Sequence, residues 1–185
     1  MALNHIMIDA ETLSTRADSC IISVGAVRFD LNTGEIDDNG FYQSISIDSN
    51  VTAGRHISES TLCWWMEQGT DAQGVFREPK VPLRSALEEL AAFISDEGCH
   101  IWSNGADFDI PMFSHAFATH DMEIPWKFYN SNCYRTYKKL PGAPKLVTQA
   151  TVKHNALHDA YAQAVHVCEI HSALFSRVNM KASKV

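Results

Sequence analysis

No apolar run in this 185-residue chain approaches the roughly 18 residues needed to span a bilayer. The opening MALNHIMIDAE reaches carboxylates after a few apolar residues, so neither a membrane span nor an export leader is expected. Cysteine is sparse. Cys20, Cys63, Cys99, Cys133 and Cys168 lie far apart, form no C-x-x-C pair and total an odd five, which argues against a zinc ribbon or a disulfide framework. A reducing, cytoplasmic setting is the expectation. Internal repeats and low-complexity tracts are absent too, and 45% hydrophobic residues suffice for one core, so a single domain over residues 1–178 is expected, with a tail at 179–185. The sharpest lack is of negative charge in one segment. Ile124 through His158 contain no Asp or Glu, yet hold Lys127, Arg135, Lys138, Lys139, Lys145 and Lys153, six of the fifteen basic residues. A net charge of −7 opposes non-specific binding to a polyanion, so this segment is either a solvated face or a surface turned toward phosphate.

What is present reads as strands first, then strands alternating with helices. Leu3–Asp9 is a short β-branched run that leads into the acids of IDAET. Cys20–Asp30 follows, and after the turn LNTGE comes an alternating Gly40–Asp48, together an antiparallel meander. The period then changes. Ser58–Gly69 opens on a Ser cap, and Pro82–Gly98 has Pro at its start, apolar residues at helical spacing and Gly at its end, so both are predicted helices. CHIWSNG is a further strand, DIPMFSHAFATH a helix, LPGAPKLVTQATVK a loop and His154–Ser176 a long helix. The pattern predicts an α/β layer fold with a mixed sheet and ligands at the carboxyl ends of its strands.

Asp9 and Glu11 stand two apart at the end of the first strand, so both project from one face and can reach one cation. Without a cation they repel, and one tends to hold a proton. SNGADFDIP carries a second pair, Asp107 and Asp109. Asp109 precedes Ile110 and Pro111 at a predicted helix start, where an N-cap role competes with a metal role for the same oxygens. In HNALHDA, Asp159 lies one turn into the last helix, and His154 stands at the entry, where the loop can redirect it. His115, His120, His158, His166 and His171 are read as structural.

Together, DAET, NGADFD and HNALHDA resemble, in order and on the expected elements, the three motifs of the DEDDh 3'-5' exonucleases of the ribonuclease-H-like superfamily. WSNGADFD, STLCWWMEQ and CYRT are similar to the phage-type and exodeoxyribonuclease-VIII-like exonucleases, a group that includes mycobacterial-type exoribonucleases. The resemblance implies a central mixed five-stranded sheet, its first three strands antiparallel, flanked by helices. It also implies Asp9, Glu11, Asp109 and Asp159 as acids for two Mg²⁺ or Mn²⁺ ions, with Asp9 bridging, and His154 as general base. Such ions, roughly 4 Å apart, serve in-line displacement at a phosphodiester, and oxygen ligands select them over zinc. Thr12 and Leu13 would meet the terminal nucleotide and its 3'-hydroxyl, and Arg135 the substrate. One departure stands out: where related proteins often carry an acid shortly before the arginine, this chain has Asn132 and Cys133.

Trp64 and Trp65 are adjacent on a predicted helix, so one must turn away from the core. Which of the two turns outward is left open by the pattern, with Trp65 the substrate-binding candidate; the outward one either stacks on a base, worth roughly 1 to 3 kcal/mol in single-strand binders, or joins two copies in a homodimer. The implied activity is removal of nucleotides from single-stranded 3' ends, with DNA ahead of RNA. A non-catalytic nucleic-acid-binding module and a small-phosphoester hydrolase are the alternatives. The first predicts a missing acid, and none is missing; the second has no use for the acid-free basic segment.

Overall fold

The computed structural model describes residues 3–95, 98–105, 107–147 and 153–182, with side chains to residue 175. Five strands, β1 (His5–Thr12), β2 (Ile21–Phe29), β3 (Phe41–Ser44), β4 (His100–Ser103) and β5 (Ser131–Cys133), form one sheet in the order β3-β2-β1-β4-β5. β2 pairs antiparallel with β1 and β3, while β4 pairs parallel with β1 and β5. The expected mixed five-stranded sheet with three antiparallel strands at its start is therefore what forms. Around it lie α1 (Ile47–Thr52), α2 (Glu59–Glu67), α3 (Leu83–Ile94), α4 (Asp109–Thr119), α5 (Tyr134–Tyr137) and α6 (Ala156–Ala182). No helix among the described residues is long and apolar enough to cross a membrane.

Among the differences from the sequence pattern, two boundaries and one short strand have a clear local reason. The third strand stops at Ser44 rather than Asp48, because the Ser46 hydroxyl accepts the Ser49 backbone N–H and starts α1. α3 ends at Ile94 rather than at Gly98. Ser95 takes the left-handed conformation (φ 38°) that ends the helix, and the Arg28 guanidinium donates to the freed carbonyls of Phe93 and Ile94. β5, with only three residues, carries too little alternation to be seen without its neighbour β4.

Alternation along β1 divides the interior in two. Ile6, Ile8 and Ala10 face a core shared with α3 and α4, including Leu87, Leu90, Phe113 and Phe117. Met7 faces the other core, with Val27, Phe29, Ala160, Ala164 and Val167, where α6 crosses β1 and β2. Asp9 and Glu11 continue the Met7 face, so the two carboxylates point to the side that α6 covers.

Gly25 sets how closely α6 can approach. It pairs directly with Asp9 across the β1–β2 ladder. A Cβ there would lie 2.2 Å from both the carbonyl carbon of Ala156 and the backbone nitrogen of Leu157. The obstacle is backbone, which cannot rotate aside. Gly25→Ala is expected to lower unfolding stability by about 3 kcal/mol, the upper end of the usual overpacking cost, with the loss measured by urea denaturation. An unchanged midpoint would show that α6 can lift away freely.

Candidate active site

Three elements converge at the carboxyl ends of β1 and β4. β1 delivers Asp9 and Glu11 just before an irregularity in its pairing with β2, between Glu11 and Thr12. Bulges of this kind commonly re-aim side chains beside sites. α4 begins at Asp109, and α6 begins at Ala156, its first turn capped by the Asn155 side chain accepting the His158 backbone N–H at 3.1 Å. Asp9, Glu11, Asp109, Asp159 and His154 all line one cleft of about 430 Å³, with Arg135 at its edge. Ligand atoms of Glu11, His154 and Asp159 lie within 4.8 Å of one another, a spacing that could hold a metal ion.

The site is costly to its own carboxylates. Glu11, buried, is pushed up to about 8, first by burial and then by the charges of Asp159 and Asp109. Burial also raises Asp9 well above the usual carboxylate range, reinforced by Asp109 and Glu11 and partly opposed by a hydrogen bond from Gln163. Asp109, 3% exposed, is pushed to about 7 by burial. Its own backbone N–H, that of Ala10 and the charge of Arg135 all pull the other way. Burial raises Asp159 as well, moderated by His154. Four acids sharing one cleft, with Asp9 and Glu11 each repelled by their neighbours' charges, form an oxygen-rich donor set that a hard divalent cation fits and relieves.

His154 is held at φ 59°, a left-handed conformation that costs a residue with a side chain about 1–2 kcal/mol. This turn carries the chain into α6 and sets the imidazole edge-on to Trp64, with ring centroids 4.9 Å apart. The N-cap expectation for Asp109 is corrected. Phe108 holds the cap position without a side-chain bond, and Asp109 is the first helical residue, its carboxylate bound to backbone N–H groups including that of Ala10. Asp107 is exposed in the preceding turn.

Two substrate expectations fail on burial. Leu13 is 1% exposed in a small core with Ile22 and Val75, and its backbone N–H and carbonyl bond Cys20 and Ser58. Trp65 is 2% exposed, and its Nε1 donates to the Thr12 carbonyl at 2.9 Å, pinning α2 to the end of β1. The outward-facing indole is Trp64, 39% exposed. Thr12 and Trp64 line a neighbouring recess of about 360 Å³ that also reaches Glu11. Arg135 is exposed and, with no acid before it, donates to the Asn104 carbonyl at 2.7 Å, while Lys138 donates to the Asn104 side chain at 3.2 Å. Gly105 makes room for this. At φ 125°, its Cβ would stand 3.0 Å from the Arg135 guanidinium.

Gln163 and Asn104, which the sequence did not single out, line the cleft together with Lys153 of the basic segment. For Gln163 the signal was its place one helical turn after Asp159, on the same face.

The family of the 3'-5' exoribonuclease Rv2179c-like domain matches residues 4–171. No curated protein matches the chain by sequence. Among solved structures, the zinc-bound E. coli exonuclease I–ssDNA complex is similar at 11% identity and a TM-score of 0.67, over 96% of this chain and 42% of that one. The moderately thermophilic exonuclease I from Methylocaldum szegediense gives 12% and 0.66, over 97% and 42%. The RNase domain of yeast Pop2 gives 12% and 0.61, over 96% and 78%. The chain thus spans about two-fifths of the exonuclease I chains it matches, and at these identities the likeness is one of ribonuclease-H-like fold.

The raised carboxylates have a sign that can be checked. Glu11 and Asp109 hold their protons more tightly folded than unfolded, so each stabilises the metal-free protein fully below about pH 4, with the benefit lost as pH rises through about 7 to 8. In chelator-treated protein the melting temperature is expected to fall between about pH 5 and about pH 8.5, the window of that linkage. Glu11→Gln should flatten the fall; a parallel profile in the variant, followed by calorimetry, would count against this charge frustration.

Proposed function

Because the chain belongs to the family of the 3'-5' exoribonuclease Rv2179c-like domain, we propose that its cleft removes nucleotides from the 3' end of single-stranded nucleic acid. The observation that carries this reading is the convergence of Asp9, Glu11, Asp109, Asp159 and His154 on one cleft at the carboxyl ends of β1 and β4. Asp9, Glu11 and Asp159 hold divalent cations, with Asp109 supporting from α4. When bound, two such ions neutralise the phosphate and stabilise charge on the attacking and leaving oxygens. His154, at the mouth of α6 and within reach of Glu11 and Asp159, takes the proton of the attacking water. Mg²⁺ and Mn²⁺ suit the oxygen donors.

Substrate contacts divide by charge. Arg135, held by Asn104 at the cleft edge, and exposed Lys153 meet phosphates, bringing two cations of the acid-free segment beside the acids. Trp64 offers its face to a base in the recess beside Glu11, and Thr12 lines the same recess. The family match supports RNA ends as substrate, against the DNA-first expectation from the motifs; pairing of two copies through the α2 face remains the competing use of Trp64.

End-labelled single strands of RNA and DNA of one sequence, incubated with Mg²⁺ or Mn²⁺, test the reading. Stepwise shortening from the 3' end is expected, faster on RNA. If neither polymer is shortened while bis-p-nitrophenyl phosphate is cleaved, the small-phosphoester alternative wins. Asp109→Asn is expected to leave less than about one-hundredth of the activity, beyond the usual loss for an outer partner of a metal, whereas Asp107→Asn keeps most of it. Equal losses would refute the separate assignment. Trp64→Ala should raise KM more than it lowers kcat.

A further inference from the structure

Gln163 lies one turn after Asp159 on α6 and is 8% exposed. Its Nε2 donates to Oδ1 of Asp9 at 2.9 Å, and its Oε1 is buried with no hydrogen-bond partner among the described residues. Gln163 belongs to the cleft wall. Apolar residues surround it on α6: Ala160 and Ala164 pack into the core between the helix and the sheet. A glutamine there, with half its amide unsatisfied, is a poor choice for stability alone, since a buried polar group without a partner is destabilising.

The chemistry of the amide explains the choice. Once Asp9 is ionised, as cation binding requires, its carboxylate only accepts hydrogen bonds, so the Nε2 end faces Asp9 and the Oε1 end is directed elsewhere. The bond occupies Oδ1 from the α6 side and fixes the rotation of the carboxyl group, leaving Oδ2 for a cation. The remaining oxygen, Oε1, is buried out of reach of solvent, so among the described residues the side chain's one hydrogen bond is the one to Asp9. A helix-borne amide thus couples the strand acid Asp9 to Asp159, the acid one turn earlier on the same helix.

We propose that Gln163 is a positioning residue for divalent-cation binding: its Nε2 bond to Oδ1 holds the Asp9 carboxylate in the orientation that receives the cation. This rests on the reading of the cleft as a metal-dependent exonuclease site, and it assigns to Gln163 no contact with the reacting atoms.

Isothermal titration of Mn²⁺ into the whole wild-type chain, Gln163→Met and Gln163→Asn tests it, alongside melting of each protein without metal. Methionine keeps the volume and removes both hydrogen-bonding groups; asparagine keeps the amide but withdraws it by one methylene. Both variants are expected to bind Mn²⁺ about 10- to 100-fold more weakly, the usual effect of losing an outer-shell partner. Gln163→Met should melt no lower than wild type without metal, and the Mn²⁺ concentration for half-maximal activity should rise with KM for the oligonucleotide little changed. A purely structural glutamine would give the reverse: lower metal-free melting with unaltered Mn²⁺ affinity of the folded protein. If wild type and both variants bind Mn²⁺ equally tightly, the positioning role is overturned and the cleft reading stands. A wild-type chain that takes up no Mn²⁺ overturns both.

Discussion

The first turn of α6 rests on bare backbone at Gly25, and the rest of the site depends on that contact. Gly25 is opposite Asp9 in the ladder, so the place where the helix comes closest to the sheet is also where β1 presents its acids. Any side chain at this position would hold the helix off by backbone contact. With the glycine, His154 and Asp159 come within reach of Glu11, and Gln163 meets Asp9 one turn later. Ala156, Ala160 and Ala164, four apart, continue the same logic along α6: small residues let the helix lie close to β1 and β2, and the distance is kept by packing in the core beneath.

That packing works against electrostatics. The apolar contacts of α6 and the pairing of β1 pull four carboxylates into shared, poorly solvated space, which raises the proton affinity of each of them. Fold stability and charge separation therefore conflict at the carboxyl end of β1, while its central residues Ile6, Met7 and Ile8 are apolar and fully buried. Such a local conflict, inside an otherwise consistent fold, is what a site built for an external cation requires. The bulge at Glu11 and Thr12 and the left-handed His154 sit at the same end, so backbone irregularity and charge frustration coincide.

How much of this was legible in the sequence depends on the range of the interaction. Asp9 and Glu11 sharing a face follows from the two-residue period of a strand, and the position of Asp159 after His154 follows from where a helix can start; both are local and both could be read. The antiparallel opening of the sheet was equally visible in short turns between alternating runs. Trp64 and Trp65 were legible only as a pair with one member inside, because the choice depends on which indole can reach the Thr12 carbonyl from a helix whose approach angle is set elsewhere. Leu13 was misread for the same reason: it follows the acids in sequence, but the chain turns it into the small core under α2. β5 has three residues and exists only through its neighbour, and Gln163 gains meaning only when α6 lies on β1.

A chain with net charge −7 that is to bind a polyanion needs its charges separated rather than balanced. The sheet supplies the acids at the carboxyl ends of β1 and β4, where a phosphate could approach only with cations in place. The acid-free segment supplies the opposite wall. Its β5–α5 junction sets Arg135 beside Gly105 and Asn104, so the guanidinium is anchored to a backbone carbonyl rather than in a direct ion pair, while its charge still acts on Asp109. An ion pair at that position would orient the arginine equally well but would offer a phosphate a cation already spent. Replacing the expected acid by Asn132, whose side chain bonds the carbonyls of Ile101 and Asn130, keeps the strand ending in order while leaving the charge of Arg135 available. The departure from the family pattern is thus consistent with phosphate binding at the cleft edge, because carbonyl anchoring fixes direction without cancelling charge.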